Sequence, residues 1–417
     1  MRHVHIGPSP LALGLLVPCA LAAGFHVHLL GRPGDSGPNR YRLVNTATGV
    51  ETQPQVQTFE GPGCFDEVSA EVRGALESEE PLLLTCTLRE KIAERSQLVE
   101  ELIEARPPGA ETVFMPCENS PDAAYEPLTL RCEERGVIPV RAVVNKMCAA
   151  GKSEWGQPRL VEAHSLGEWL IEDPLREVGL LEALAAASEE VELVCDFEAR
   201  KERKLWMVNG THLALALIAR GTGVRGIDIS TASEDEGQAR EQEGDSLRRE
   251  ARRRGTLVRI AQLHGPMDEA LKLRHPGLEG NLDYGREHVI AYTEHPDRVS
   301  RVLSGFMRED LSPFIATLRE RLGAPAKVCF ESGRSVDAFA AVFDEFEKRA
   351  ADLDAFADRI EVRRNPDLIT KAADERAVDA YRKLVGEWMS ARVAEQRVER
   401  LADALRDAYG SVTPAPA

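Results

Sequence analysis

The sequence predicts an α/β N-terminal domain with a parallel sheet, followed by an all-α C-terminal domain. Three observations carry this. The chain opens as strand, glycine, helix, glycine, strand. Apolar strands then keep alternating with amphipathic helical runs through the first half. Beyond about residue 200 the strand signals fade and helical periodicity takes over. The expected boundaries are 1–198 for the α/β part, 199–410 for the helical part and 411–417 for a tail, whose last residues read SVTPAPA.

Taken in order, HVHIG is a short strand ending at Gly7, Leu11 to Ala23 an apolar helix, Gly24 its stop, and Phe25 to Gly31 a second strand. Strand, helix and strand make the βαβ unit that begins nucleotide-binding folds. The first 24 residues also have the outline of a secretory signal peptide. Pro8, Pro10 and Pro18 interrupt its apolar stretch, however, and only Arg2 supplies firm positive charge. The βαβ reading is therefore preferred, and with it a cytoplasmic location. Residues 34–64, rich in Gly, Pro, Thr and Asn, read as hairpins or loops. Leu82–Cys86 is a buried strand, Arg89–Ala105 an amphipathic helix and Val113–Cys117 a strand. Leu128–Arg135 is a short helix, and Val137–Val144 is extended. Helical stretches follow at 204–220, 267–274, 297–321, 334–357 and 376–408. Ser233–Arg254 is almost wholly charged and reads as an exposed loop and helix.

Composition excludes several classes. A length of 417 residues suits two or three domains, and 43% apolar residues are ample for their cores. With 69 acidic against 52 basic residues the net charge is −17, which argues against an unselective grip on nucleic acid or anionic membrane. Aromatics at 5% leave little for base-stacking platforms. No stretch reaches the ~20 apolar residues of a membrane span. No two of the eight cysteines lie closer than 15 positions, so no zinc-ribbon spacing is present and no metal is expected. The partners expected are small molecules.

The turn after the first strand is the first candidate site. A dinucleotide fold wants G-x-G-x-x-G/A there: a tight turn, close approach of the pyrophosphate, and helix packing. This chain offers Gly7, Ser9 and Ala12. Ser9 fills the volume through which a phosphate would approach, and Pro8 and Pro10 lack N–H donors. The turn is equally a cofactor turn or a structural one. At the end of the second strand Gly31 and Arg32 stand where an acidic residue would hold a ribose hydroxyl. An arginine suits a 2′-phosphate, so a nicotinamide cofactor, if this Rossmann-like domain binds one, is NAD or NADP.

The second candidate is ERKLWMVNGTHLAL at 202–215, with Lys204, Asn209 and His212 spaced K-x4-N-x2-H. On an α-helix these positions span roughly 140° of arc, so all three can face one cleft. Lysine can act as a general base when burial or charge lowers its pKa. Asn209 can donate to an alkoxide, and His212 can hold a neighbouring hydroxyl. On spacing alone, an amphipathic helix with a solvated lysine remains the competing reading.

The sequence resembles the polyol-specific long-chain dehydrogenases, the family of mannitol and mannitol-1-phosphate dehydrogenases. KLWMVNGTH carries that family's K-x4-N-x2-H signature intact. HIGPSPLALGLLVPCALAAGFHVHLL resembles its opening. PCENSPDAA (116–124), IPVRAVVNKM (138–147), LGEWLIEDP (166–174), RRNPDLITK (363–371) and YRKL (381–384) are similar to later segments, in the family's order.

The resemblance implies a metal-independent interconversion of a polyol or polyol phosphate with its ketose, mannitol 1-phosphate and fructose 6-phosphate being the best-matched pair. It implies Lys204 as base, Asn209 and Asn119 as alkoxide donors, and His212 as the orienting group. It places Glu168, Asn145 and Lys146 along the substrate; Glu168 could equally order the domain interface. Arg363 and Arg364, with Lys371, are candidates for a substrate phosphate or simply a solvated basic face. A monomer or homodimer is expected. The chain departs from the family in its glycine-poor turn, in the missing acid after the second strand, and in Asn145 and Lys146, which replace an aspartate and an arginine. Glu375–Asp379 keeps little of another segment. A non-redox binding or sensor protein on the same fold is therefore the alternative.

Overall fold

The computed structural model describes all residues except 35–38, 89–91, 118–124, 151–158, 175–176, 222–253, 295–316 and 348–417. The chain divides into two compact units, Met1–Arg200 and Lys201–Ala417. The strands of the first unit are β1 (Arg2–Ile6), β2 (His26–Leu30), β3 (Arg42–Asn45), β4 (Glu51–Thr52), β5 (Thr58–Glu60) and β6 (Leu82–Cys86). After them come β7 (Thr112–Pro116), β8 (Ile138–Pro139), β9 (Ala142–Ala150), β10 (Leu160–Glu172) and β11 (Val191–Val194).

Six of these form one sheet in the order β5-β2-β1-β6-β7-β8, every neighbouring pair parallel. The chain runs outward from β1 in one direction and from β6 in the other. The strand order therefore reverses between β1 and β6, and open α/β sheets take their ligands beyond the carboxyl ends of such a pair. β6, LLLTC, is buried at every position, as a parallel strand covered on both faces must be.

Alternation along the strands sorts the core into two layers. Val4, Ile6, Leu82 and Leu84 face one cluster with Leu30, Val72, Leu76, Val99 and Leu102. Its helices are α2 (Ala70–Glu77), α3 (Ile92–Glu104) and α4 (Glu126–Arg135). Val27, Leu29, Leu83, Val113 and Met115 face the other cluster. There they meet a π-turn (Ala12–Leu16) that runs into α1 (Val17–Ala22), together with α5 (Gly179–Ala187).

A second, mixed sheet also packs into that layer. β10 is its long central strand, antiparallel to β9 along one edge. On its other edge it is parallel to β3 at its start and to β11 at its end, while β4 extends β3. Trp169 of β10 is fully buried, its indole N–H 3.3 Å from Met115 Sδ. Residues 34–64, expected as hairpins or loops, thus contribute β3 and β4 to this sheet and β5 to the parallel one.

The described elements of the second unit are all helical. One continuous helix starts as α6 (Phe197–Arg203), widens into a π-turn (Lys204–Gly210) and continues as α7 (Thr211–Gly221). α8 (Arg254–Arg274) and α9 (Asn281–Glu294) follow. A further π-turn (Arg319–Gly323) leads into α10 (Ala324–Glu331), and α11 (Asp337–Glu347) ends the described chain. Trp206, Met207, Leu213, Leu217, Leu263, Met267 and Phe339 are buried in its core. The stretches expected at 233–254 and 376–408, and most of 297–321, fall largely or wholly outside the described residues.

Candidate functional site

The turn after β1 is held by side chains more than by glycines. Gly7 has φ +87°, and a Cβ on it would lie 2.8 Å from the Thr87 carbonyl oxygen, so conformation and space both demand glycine. Ser9 is an N-cap: its hydroxyl accepts from the Ala12 N–H at 3.1 Å and its carbonyl from the Leu13 N–H at 3.0 Å. The Ser9 N–H itself donates to Gly7 O at 2.6 Å. Ala12 is fully buried. The close helix-to-strand approach falls instead to Gly14, whose Cβ would lie 2.5 Å from Cys148 Sγ and 3.2 Å from Ala163 Cβ.

Beneath the turn runs a buried polar chain that sequence reasoning missed. His5 Nε2 is 3.0 Å from Gly7 O and 3.2 Å from Thr87 Oγ1. His5 Nδ1 is 2.6 Å from Thr85 Oγ1, which is 2.7 Å from His3 Nε2. The Thr87 hydroxyl also donates to Gly7 O. A carbonyl only accepts, so His5 carries its proton on Nε2 and accepts at Nδ1 from Thr85. Thr85 in turn accepts from His3 Nε2–H. Burial lowers the His5 pKa to about 4 and that of His3 well below its usual value, so both rings are neutral near pH 7. The available signal was two histidines at alternating positions of a strand whose other residues after Arg2 are apolar.

At the end of β2 the Gly31 N–H donates to Glu60 O at 2.7 Å. The Gly31 carbonyl accepts from Arg95 Nη2 at 3.2 Å, and the same nitrogen donates to Pro62 O at 3.0 Å. Arg95 is 9% exposed, whereas Arg32, the residue singled out by sequence, is exposed. Arg95 was not foreseen because its position on α3 gives no hint that it reaches this strand end.

In the second unit Lys204 is 3% exposed, while Asn209 and His212 are half-buried. The segment 204–210 is π-helical rather than α-helical, which revises the geometry expected of the motif. With i→i+5 bonding, residues five apart stack on one face, and Lys204 and Asn209 are five apart. The arc between them is therefore narrower than a straight α-helix allows. His212 stacks on Tyr292, ring centroids 4.7 Å apart, and the Tyr292 hydroxyl donates to Val208 O at 3.0 Å. Thr211 Oγ1 is 2.8 Å from His264 Nε2, on a ring whose pKa burial lowers to about 4. A Cβ on Gly210 would lie 2.7 Å from Arg321 O, so the motif's glycine lets the two π-turns of this unit abut.

In the second sheet of the first unit, Asn145 of β9 stands opposite Glu168 of β10, its Nδ2 donating to Oε1 at 3.4 Å. Lys146, one residue on, forms an ion pair with Glu190. A Cβ on Gly167 would lie 2.7 Å from Lys146 Cδ and 2.8 Å from Glu190 Oε1. Strand alternation separates Lys146 from Asn145 and Glu168, so the three do not form one patch. Asn119, Arg363, Arg364 and Lys371 lie outside the described residues.

No protein-family model and no curated protein sequence matches the chain. Among solved structures, the chain is similar to Pseudomonas fluorescens mannitol 2-dehydrogenase in its ternary complex with NAD and D-mannitol. The TM-score is 0.57 at 14% identity, covering 99% of this chain and 92% of that one. A ketopantoate reductase from Ralstonia eutropha superposes less closely, with a TM-score of 0.43 at 18% identity over 84% of this chain and 99% of that one. The first likeness establishes the fold: a parallel-sheet Rossmann-like domain followed by a helical one.

Proposed function

We propose that this chain is an NAD(P)-dependent oxidoreductase that interconverts a secondary alcohol of a polyol or polyol phosphate with the corresponding ketone. One observation carries the chemistry: a nearly buried Lys204, one π-turn before Asn209. Burial is the setting in which lysines serve as general bases. Support for the cofactor comes from the reversal of strand order at β1 and β6, the Gly7 turn beside it, and a structural neighbour that binds NAD.

These residues fit a dinucleotide. Gly7 leaves no Cβ at the turn, and Arg32 and Arg95 put positive charge at the end of β2, where a ribose 2′-phosphate would lie. When bound, the nicotinamide supplies a hydride acceptor or donor. The chain's own residues do the rest. Lys204 Nζ takes the hydroxyl proton in oxidation and returns it in reduction. Asn209 donates an amide N–H to the oxygen as its charge develops. His212, its ring held against Tyr292, orients a neighbouring hydroxyl. Asn119 would share the oxygen with Asn209, Glu168 and Asn145 would hold further substrate hydroxyls, and Arg363 and Arg364 a phosphate.

The test is Lys204→Met, which keeps the apolar stem. Ketose-dependent oxidation of NADH or NADPH should fall about 100- to 10,000-fold while cofactor binding and melting temperature persist. The panel is fructose 6-phosphate, fructose and fructuronate, with mannitol 1-phosphate in the reverse direction. Normal turnover by the variant sinks the lysine mechanism. A second reading, a binding protein without turnover, is favoured by the donor-poor turn. It requires that calorimetric titration with NAD and NADP give no heat.

A further inference from the structure

We propose that Arg203 receives the anionic end of the substrate, a phosphate or a carboxylate, so that the site beginning at Lys204 prefers a charged ketose or polyol to a neutral one. This rests on the oxidoreductase reading and names its substrate class.

Arg203 is the last residue of α6 and stands immediately before Lys204. It is 8% exposed. Among the described residues no carboxylate pairs with it, and its Nε–H is sealed from solvent without a hydrogen-bond partner. The adjacent carboxylate, Glu202, is committed elsewhere, 2.7 Å from His275 Nε2 and 3.2 Å from Arg274 Nε. A buried charge is ordinarily paired, and an arginine cannot escape burial by giving up its proton. One contact offsets part of this cost: the guanidinium carbon lies 4.1 Å from the centroid of the Tyr284 ring. Stacking of this kind engages the flat face of the guanidinium. It takes none of the N–H groups, which point outward in the plane, where a phosphate or carboxylate accepts two at once. Held flat against a ring with its donors unspent, Arg203 has the geometry of an anion receptor rather than of a structural ion pair.

Its position agrees. α9, which supplies Tyr284, runs beside the whole motif. Tyr284 meets Arg203, a Cβ on Gly285 would lie 2.7 Å from Met207 Cε, and Tyr292 meets Val208 O and His212. Arg203 and His212 are thus both turned to α9, one at each end of the segment that holds Lys204 and Asn209. His212 is the group assigned above to a substrate hydroxyl. A ligand lying along this side meets Arg203 with its far end.

The experiment compares wild-type protein with Arg203→Gln and Arg203→Lys, using fructose 6-phosphate, fructuronate and fructose. Wild-type kcat/KM should favour one of the two anionic ketoses over fructose, and the favoured one identifies the group as phosphate or carboxylate. Arg203→Gln should cut that preference about 10- to 100-fold, mainly through KM, as loss of a charged hydrogen-bonding partner does. Arg203→Lys keeps the charge and loses the planar fork, so it should fall between. Inorganic phosphate or acetate, matching the favoured group, should raise the melting temperature of the wild type and not that of Arg203→Gln, which reads the site without turnover. Without ligand, Arg203→Gln should melt at or above the wild-type temperature, because an unpaired buried charge has been removed. A variant that melts well below the wild type makes Arg203 structural and overturns the proposal. So does a folded Arg203→Gln that keeps the wild-type preference, and in that case the oxidoreductase reading stands. Wild-type protein that is stabilised by the anion through Arg203 yet turns over none of the ketoses overturns the oxidoreductase reading instead.

Discussion

The turn after β1 and the segment from Lys204 to His212 solve one problem in opposite ways. Each must hold polar groups against a packed interior. The turn does so with side chains that brace a backbone: Ser9 caps it, Arg159 seats Pro8, and His5 and Thr87 hold the Gly7 carbonyl. The lysine segment does the reverse. There the backbone is reshaped into a π-turn so that side chains five apart come onto one face. The contrast explains why one site kept a readable motif and the other did not. Chemistry carried by side chains must keep its residues, whereas support for a backbone can come from anywhere in the chain.

The comparison breaks first at its two glycines. Gly7→Ala adds both a left-handed strain and a Cβ 2.8 Å from a carbonyl oxygen that belongs to the sheet's edge of turns. The expected loss is about 2–4 kcal/mol by urea denaturation, accompanied by loss of dinucleotide binding. If Gly7→Ala unfolds at wild-type urea concentrations, the turn is not the rigid element described.

Acid tests the buried polar chain beneath the turn. His5 has a folded-state pKa of about 4 against an unfolded value near 6.5, so below pH 6.5 the unfolded chain takes up a proton that the folded chain refuses. Its stabilisation is complete above pH 6.5 and is lost as pH falls toward 4, about 3 kcal/mol in all. His28, also lowered to about 4, acts in the same direction in the same unit. In the second unit His264 is lowered in the same way. Stability measured between pH 7 and pH 4 should therefore fall in signals from the N-terminal unit. His5→Gln should flatten that slope; an unchanged slope would remove His5 as its source.

These two regions also show what the sequence could and could not tell. β1, β2, β6 and β7 were legible because short apolar runs bounded by glycine and proline have few other readings. β10 was not, because Gly167 and a register shift between Ala163 and Gly167 break the alternation that marks a strand. β5 was hidden by its three-residue length in a loop-like stretch. The Lys204 motif was legible as residues, but its π geometry was not, since KLWMVNG satisfies any helical pattern equally. Arg159 left no trace. Nothing around it in the sequence says that its guanidinium meets the Pro8 carbonyl, 151 positions away.

Gly210→Ala tests the other glycine. Here the backbone is π-helical without a positive φ and only space is at issue, with Arg321 O at 2.7 Å and Met267 Cε at 3.1 Å. The methionine can yield and the carbonyl cannot. A loss of about 1–3 kcal/mol is expected, smaller than at Gly7 because no left-handed strain is added. Turnover should fall further than stability alone accounts for, since the π-turn that aligns Lys204 with Asn209 is displaced. Equal effects at Gly7 and Gly210 would erase the distinction between a turn that needs glycine for its conformation and a helix that needs it for clearance.

The smallest effect sharpens the same distinction. The Tyr292 ring stacks on His212, while its hydroxyl donates to Val208 O, a carbonyl that also accepts from the Thr211 N–H. Because Val208 O keeps one partner, Tyr292→Phe should cost only about 0.5–1.5 kcal/mol. The ring remains against His212, so KM for the ketose should scarcely move. Tyr292→Leu removes the flat face as well and should raise KM while leaving kcat nearer the wild-type value, as the orienting role proposed for His212 requires. If Tyr292→Phe raises KM as much as Tyr292→Leu does, then the hydroxyl and its backbone contact position the site. The lysine segment would then be braced in the same manner as the turn after β1.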